Sequence, residues 1–239
     1  KFIFFKPLKT AGSSVEQALL RQCSKNVLCT GTAPLPNSIG WTYKPINNST
    51  EDGLDRFNTH TGPELLFSRL AKPEYFENYR LISMTRNPWD AVVSYFWYNA
   101  ALHPVWRENI FLQLQKDQRF LYVKELFNEW LIVKTKFRSL WNEKLEEYKS
   151  YEYIGVLNEA CIDDKVNNYI RFETLQKDFN FICFLLGVEP SALEKLKSGY
   201  KLLDNHYSDY YTQESKNMIE RAFPKTIKKF GYTFDRRVK

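Results

Sequence analysis

The feature that most constrains this chain is a strand-to-helix junction at its start. The apolar run Phe2-Ile3-Phe4-Phe5 reads as a buried strand. A loop of small residues, KPLKTAGSS, follows, and Val15, Ala18 and Leu19 then recur at helical spacing. Ser13 or Ser14 stands where a helix N-cap belongs. The same order returns at Arg80–Thr85 (RLISMT), a second strand. It runs into Asn87, a candidate cap, and Pro88 in the first turn of a helix carrying Val92, Val93, Tyr95 and Phe96. Strands separated by helices predict an α/β chain with a mostly parallel central sheet flanked by helices. Ligands of such sheets bind at the carboxyl ends of the strands, and both junctions lie there.

The rest of the chain is read more coarsely. Residues 30–58 are rich in Pro, Asn, Gly, Ser and Thr and predict a long irregular excursion. A long mixed helix is expected over 118–149, and strands over 151–156 (YEYIGV) and 167–172 (NNYIRF). Leu175–Leu186 reads as a helix closed by Gly187, and 212–223 as a last clear helix ended by Pro224. There is no internal repeat and no low-complexity linker. At about 150 residues per domain, 239 residues permit one large domain over 1–239.

Composition excludes some classes. With 44% hydrophobic and 26% charged residues, the chain is neither disordered nor fibrous. Aromatic residues at 16% fill a substantial core or stack on planar ligands. A formal charge of +6 suits an anionic ligand, but no basic run is long enough to argue for nucleic acid. No apolar stretch reaches the ~20 residues of a membrane span. The expectation is therefore a cytoplasmic protein, with a lumenal domain trimmed of its anchor as the alternative. Cys23, Cys29, Cys161 and Cys183 follow no metal-ligand spacing, and no metal is expected. Cys183, in FICFLL, reads as a buried thiol; Cys23 and Cys29 could pair in a secreted protein. Asn47 and Asn48 each open an Asn-x-Ser/Thr triplet, which says little without the compartment.

The chemistry is expected at the two junctions. In Lys9-Thr10-Ala11-Gly12-Ser13-Ser14, small residues let the backbone close around a ligand, and helix N-terminal N–H groups favour an anion. Lys9 adds a positive charge, and the hydroxyls of Thr10, Ser13 and Ser14 add donors. The bland reading is a helix cap beside a surface lysine. The loop is not G-x-x-x-x-G-K-S/T, because the lysine precedes the glycine. At the second junction, Arg86 can hold a phosphate through two parallel hydrogen bonds. Ser94, eight residues on, could share its face. The bland alternative pairs Arg86 with Asp90 and leaves Ser94 a helix filler.

Taken together, these motifs resemble those of a known family. KTAGSSVEQAL resembles the phosphosulfate-binding loop of sulfotransferases, and RNPWDAVVSYF their segment for the 3′-phosphate. The closer likeness is to the carbohydrate, 2-O-sulfotransferase-like group and its bacterial relatives. NNYIRFETLQKDF and HYSDYYTQESKNMIERAF resemble that group's later segments, whereas 100–150 is poorly covered. Leu8 departs from the family's usual proline before the lysine.

The resemblance implies a P-loop-like three-layer sandwich and a co-substrate, 3′-phosphoadenosine 5′-phosphosulfate. It implies that Lys9 and the backbone of Thr10, Ala11, Gly12, Ser13 and Ser14 grip the 5′-phosphosulfate, and that Arg86 and Ser94 grip the 3′-phosphate. It implies a saccharide hydroxyl as acceptor, His60 as general base, and Lys9 as the cation for the leaving oxygen. His60 stands in FNTHTGPELL between the two motifs; an imidazole, the side chain that changes charge nearest neutral pH, suits that role, and the bland reading is a loop histidine. His103 reads as a helix-end residue. Lys201, Asn205, His206 and Tyr207 fall in a polar segment resembling the family's late loop. Trp89, Tyr95, Trp97 and Tyr98 read as core or rim, with one of them a candidate to stack on adenine.

Two other functions stay open on the sequence. One is a nucleotide or small-molecule kinase, against which stand the misplaced lysine and the absence of a strand-end Asp after Thr85. The other is a non-catalytic module binding anionic glycans. The acceptor and the oligomeric state are not written in the sequence.

Overall fold

The computed structural model describes residues 1–22, 60–69, 74, 77–102, 119–138, 145–196 and 199–235. The expectations at Cys23, Cys29, Asn47, Asn48, His103 and the 30–58 excursion lie outside the described residues. In chain order the elements are β1 (Phe2–Phe4), α1 (Gly12–Gln22), α2 (Pro63–Arg69), β2 (Arg80–Thr85) and α3 (Pro88–Leu102). They continue with α4 (Arg119–Ile132), β3 (Lys134–Arg138), β4 (Leu145–Lys149), α5 (Ser150–Glu159), β5 (Asn168–Arg171) and α6 (Leu175–Leu186). The last are α7 (Gln213–Ala222) and α8 (Pro224–Phe230). The chain forms two compact units, one of residues 1–85 with 160–196, the other of 86–159 with 197–239.

The first unit holds a parallel sheet in the order β1-β2-β5, with Ile3 opposite Leu81 and Met84 opposite Ile170. The central strand β2 is buried on both faces beyond Arg80, as its apolar run requires. Because strand side chains alternate, Ile82 and Met84 face one way and Leu81 the other. On the first face, Val15, Ala18 and Leu19 of α1 and Phe179, Ile182 and Cys183 of α6 close over Ile82, Met84 and Ile170. On the second, Phe5, Leu81, Cys161 and Val166 form a cluster against which Leu66 and Phe67 of α2 pack. The result is a small parallel sheet between helical layers, as expected. Gly187 closes α6 in the left-handed conformation, at φ 68°, its N–H reaching the carbonyls of Cys183 and Phe184.

The second unit is built on α3, whose buried residues run all round the helix. Phe96 meets Trp97, Phe127 and Trp130 edge-on, and Phe127 meets Tyr210 and Tyr211. The polar tips find partners. Trp97 Nε1 donates to the Tyr210 hydroxyl at 3.2 Å, Trp89 Nε1 to the Lys216 carbonyl at 3.2 Å, and the Tyr211 hydroxyl to the Trp89 carbonyl at 2.8 Å.

Three expectations are corrected here. The helix expected over 118–149 ends at Ile132, and an antiparallel pair, β3 with β4, follows. Beyond Ile132 the sequence lacks the apolar stripe a helix must bury. Pairing sets Lys136 opposite Glu147 and Thr135 opposite Tyr148 instead, which suits strands. The strand expected over 151–156 is helix α5. Its Tyr151, Ile154, Gly155, Leu157 and Asn158 are buried at helical spacing, and the Glu152 carboxylate accepts the Lys149 N–H at 2.9 Å. A Cβ at Gly155 would lie 2.8 Å from the Ala222 carbonyl oxygen, so glycine permits a close approach to α7. Pro224 does end α7, but it also opens α8. The Glu159 carboxylate holds the N–H groups of Lys225 and Thr226 there, at 2.6 and 2.9 Å.

Candidate functional site

The β1-to-α1 junction lies in the first unit. Phe5 still donates to the Ile82 carbonyl at 2.8 Å, and the chain then leaves the sheet. Lys9 and Ala11 adopt the left-handed conformation, at φ 61° and 67°. For residues with a Cβ this costs about 1–2 kcal/mol each. The surroundings hold the strain in place. Thr10 Oγ1 donates to the Pro7 carbonyl at 2.9 Å and touches Met84 Sδ at 3.8 Å. The Ala11 carbonyl accepts from Ser14 N at 3.0 Å and Val15 N at 3.4 Å, which starts α1. Backbone alternating with left-handed residues turns successive N–H groups inward as an anion-binding concavity. Here it adjoins the positive end of an 11-residue helix.

Two of the hydroxyls expected as ligand donors take part in hydrogen bonds of the protein itself. The Thr10 hydroxyl braces the loop from inside, and the Ser14 hydroxyl oxygen accepts the Leu196 N–H at 3.3 Å. Ser13 stays half-buried at the start of α1.

A side chain the sequence did not single out crosses this loop. Lys6 is only 8% exposed, and its Nζ pairs with the Glu16 carboxylate. Its stem lies so close to the helix start that a Cβ at Gly12 would sit 2.2 Å from Lys6 Cγ. Gly12 is therefore the only residue type that fits without moving Lys6. Gly12 and Glu16 are one helical turn apart and share a face, so the lysine runs along α1 from one to the other. No local pattern announces such a pair. The one signal is a lysine directly after the apolar run Phe2–Phe5, where burial would call for a matching acid.

Lys6 also reaches the candidate base. His60 Nδ1 lies 2.7 Å from the Lys6 carbonyl oxygen. A carbonyl only accepts, so Nδ1 carries the proton, and in the neutral ring Nε2 carries the lone pair. On the other side, the Cys161 thiol donates to the His60 carbonyl at 3.9 Å. Burial pushes the Cys161 thiol up to about 12, so it stays protonated and unreactive near neutrality. Buried Gly62 follows, and a Cβ there would lie 1.8 Å from the Ala160 carbonyl oxygen. His60 and the loop thus meet at one residue, Lys6.

The second junction is described within the second unit. Arg86 directs Nε and Nη2 at the same oxygen of Asp90, Oδ2, each at 2.8 Å. Asp90 and Ser94 stand one turn apart on α3, so Arg86, Asp90 and Ser94 lie along a single face. The Arg86–Asp90 pairing weighed from the sequence is present. It uses two of the five guanidinium N–H donors and fixes the direction of the group.

Asn87 caps α3. Its Oδ1 accepts from Trp89 N at 3.1 Å and Asp90 N at 3.4 Å, while its Nδ2 donates to the Tyr207 hydroxyl at 3.3 Å and the Thr233 carbonyl at 3.2 Å. The Tyr207 hydroxyl accepts the Asp235 N–H as well, at 3.0 Å. In the late loop His206 stacks on Tyr207 with ring centroids 4.2 Å apart and bonds Ser208 Oγ at 2.8 Å, and Lys201 Nζ donates to the Asn205 carbonyl. Trp89, Tyr95 and Trp97 are core residues, and half-buried Tyr98 meets Tyr200 edge-on.

Among the described residues, no three His, Cys, Asp or Glu side chains are grouped to hold a metal ion. No described helix is long and apolar enough to cross a membrane. No family model matches the chain. No curated protein matches it either. In solved structures the chain is similar to a crystal structure of a sulfotransferase from Alicyclobacillus acidocaldarius. Identity is 15% and the TM-score 0.40, over 97% of this chain and 96% of that one.

Proposed function

We propose that the protein is a sulfotransferase that moves a sulfuryl group from 3′-phosphoadenosine 5′-phosphosulfate to a carbohydrate hydroxyl, acting as one domain over 1–239. The observation that carries this reading is the His60–Lys6 contact beside a strained loop at a helix start. With Nδ1 held by the Lys6 carbonyl, the neutral form of the ring has its lone pair on Nε2, next to backbone fit for an anion.

In this reading the backbone of residues 9–14 takes the 5′-phosphosulfate, and Arg86 with Ser94 takes the 3′-phosphate. His60 Nε2 accepts the proton of the acceptor hydroxyl as that oxygen attacks sulfur. A new S–O bond forms, and the bond from sulfur to the bridging oxygen of the 5′-phosphate breaks. Lys9 meets the charge that develops on that oxygen. The products are the sulfated acceptor and adenosine 3′,5′-bisphosphate.

Calorimetric titration with adenosine 3′,5′-bisphosphate, against ATP with magnesium, tests the donor. Binding of the bisphosphate and not of ATP is expected, and the reverse would replace this reading with a kinase. His60→Ala is expected to abolish transfer and leave bisphosphate binding intact. Unchanged turnover would remove His60 as the base.

A further inference from the structure

We propose that the Lys6–Glu16 pair sets the affinity of the β1–α1 loop for its anion, with Glu16 acting as a counter-ion that holds Lys6 against the flank of α1. The inference rests on the reading of that loop as an anion site and says what tunes it.

Three observations carry it. Lys6 is 8% exposed, and a buried ammonium needs a partner, which Glu16 supplies. The lysine stem crosses Gly12, the first residue of α1, and its charge meets Glu16, which stands one turn, about 6 Å of axial rise, further along the helix. The Glu16 side chain is itself only 19% exposed, so water screens the pair less than it would a surface pair. Together the two charges add nothing to the loop. Separately they act with opposite sign: Lys6 attracts an anion at the N-terminus of α1, and Glu16 repels it.

A merely structural pair and an affinity-setting pair make different forecasts. If the pair only braced the loop, losing either partner would weaken binding. If it sets affinity, Glu16→Gln leaves Lys6 uncompensated and tightens anion binding, by about fivefold at low salt. Lys6→Met leaves a half-buried, uncompensated carboxylate beside the loop and weakens binding by at least as much. The double variant, Lys6→Met with Glu16→Gln, returns close to wild type. All these differences shrink as salt is raised.

The experiment is calorimetric titration of the four proteins with adenosine 3′,5′-bisphosphate and, separately, with inorganic pyrophosphate, at low and at high salt. Tighter binding by Glu16→Gln with recovery in the double variant supports the inference. Bisphosphate binding by wild type that Glu16→Gln weakens or leaves unchanged overturns it and leaves the donor reading standing. Pyrophosphate binding with the expected signs, but no bisphosphate binding, supports the inference and ends the donor reading. No binding of either anion by any of the four overturns both. If Lys6→Met does not fold, the sign of the Glu16→Gln effect still decides.

Discussion

The unit of residues 1–85 and 160–196 packs aliphatic side chains on a three-stranded parallel sheet, whereas the unit of 86–159 and 197–239 packs aromatic rings edge-on around α3. They differ as much in polar chemistry. In the aromatic unit the tips of Trp89, Trp97, Tyr210 and Tyr211 enter hydrogen bonds, and Asn87 binds at both ends of its amide. In the sheet unit Ser83 Oγ and Thr85 Oγ1, on the central strand close in sequence to its carboxyl edge, and Ser191 Oγ are buried with no hydrogen-bond partner among the described residues. Lys9 and Ala11 add strained backbone there. The comparison teaches that much of the unfavourable local structure lies where a ligand is expected, while the aromatic unit is built for rigidity, Asn128 Oδ1 being its one buried unpaired atom among the described residues.

The difference can be broken or sharpened by experiment. The largest expected effect is Phe127→Ala, which empties the centre of the aromatic cluster and costs about 3–5 kcal/mol in urea unfolding. A loss below about 1 kcal/mol would show that the rings repack freely. Alkaline pH should act on the same unit. Burial raises Tyr95 and Tyr210 to about 12 and Tyr211 well above its ordinary 10.0, while an unfolded tyrosine ionises near that ordinary value. A raised folded value means that this contribution to stability is complete below pH 10.0 and falls as pH rises toward 12. Near-ultraviolet circular dichroism should therefore collapse in that window. Among its described residues the sheet unit has one tyrosine so raised, Tyr169, near 12, against three in the aromatic unit, and should hold its far-ultraviolet signal longer.

Smaller changes probe the sheet unit and carry the opposite sign. Ser83→Ala removes an unpaired buried hydroxyl and should raise stability by about 1 kcal/mol. A loss of that size would mean that the hydroxyl has a bonding partner after all. Smallest is Ala11→Gly, which relieves a left-handed alanine for a gain of about 0.5 kcal/mol, after the greater freedom of glycine when unfolded is counted. Loop affinity for adenosine 3′,5′-bisphosphate should fall in the same variant, since the concavity is no longer held open. Equal affinity would detach the strain from binding.

What the sequence made legible was local. The strand at Phe2, the start of α1, the capped helix after Asn87 and the glycine stop at Gly187 each depend on neighbours a few residues away. The misread segments are those where composition and contacts disagree. YEYIGV is rich in strand formers, yet Gly155 against Ala222 and Glu152 on the Lys149 N–H make it a helix. The 134–149 segment is rich in helix formers but has no apolar stripe to bury. In the candidate site, Lys9, Gly12 and Arg86 could be named from their motifs. The Lys6–Glu16 pair and the Lys6 carbonyl on His60 could not, because they join positions 10 and 54 residues apart. The inward turn of Thr10 also depends on Met84, which only the fold supplies.

The cap of α3 has a consequence in time. Asn87 lies 146 residues before Thr233, whose carbonyl it binds, and 120 before Tyr207. A ribosome adds about 5–20 residues per second, so Asn87 waits on the order of ten seconds for those partners. During that interval Arg86 is joined to a helix whose cap is half made. A segment synthesised 120 to 146 residues later thus completes the setting of Arg86.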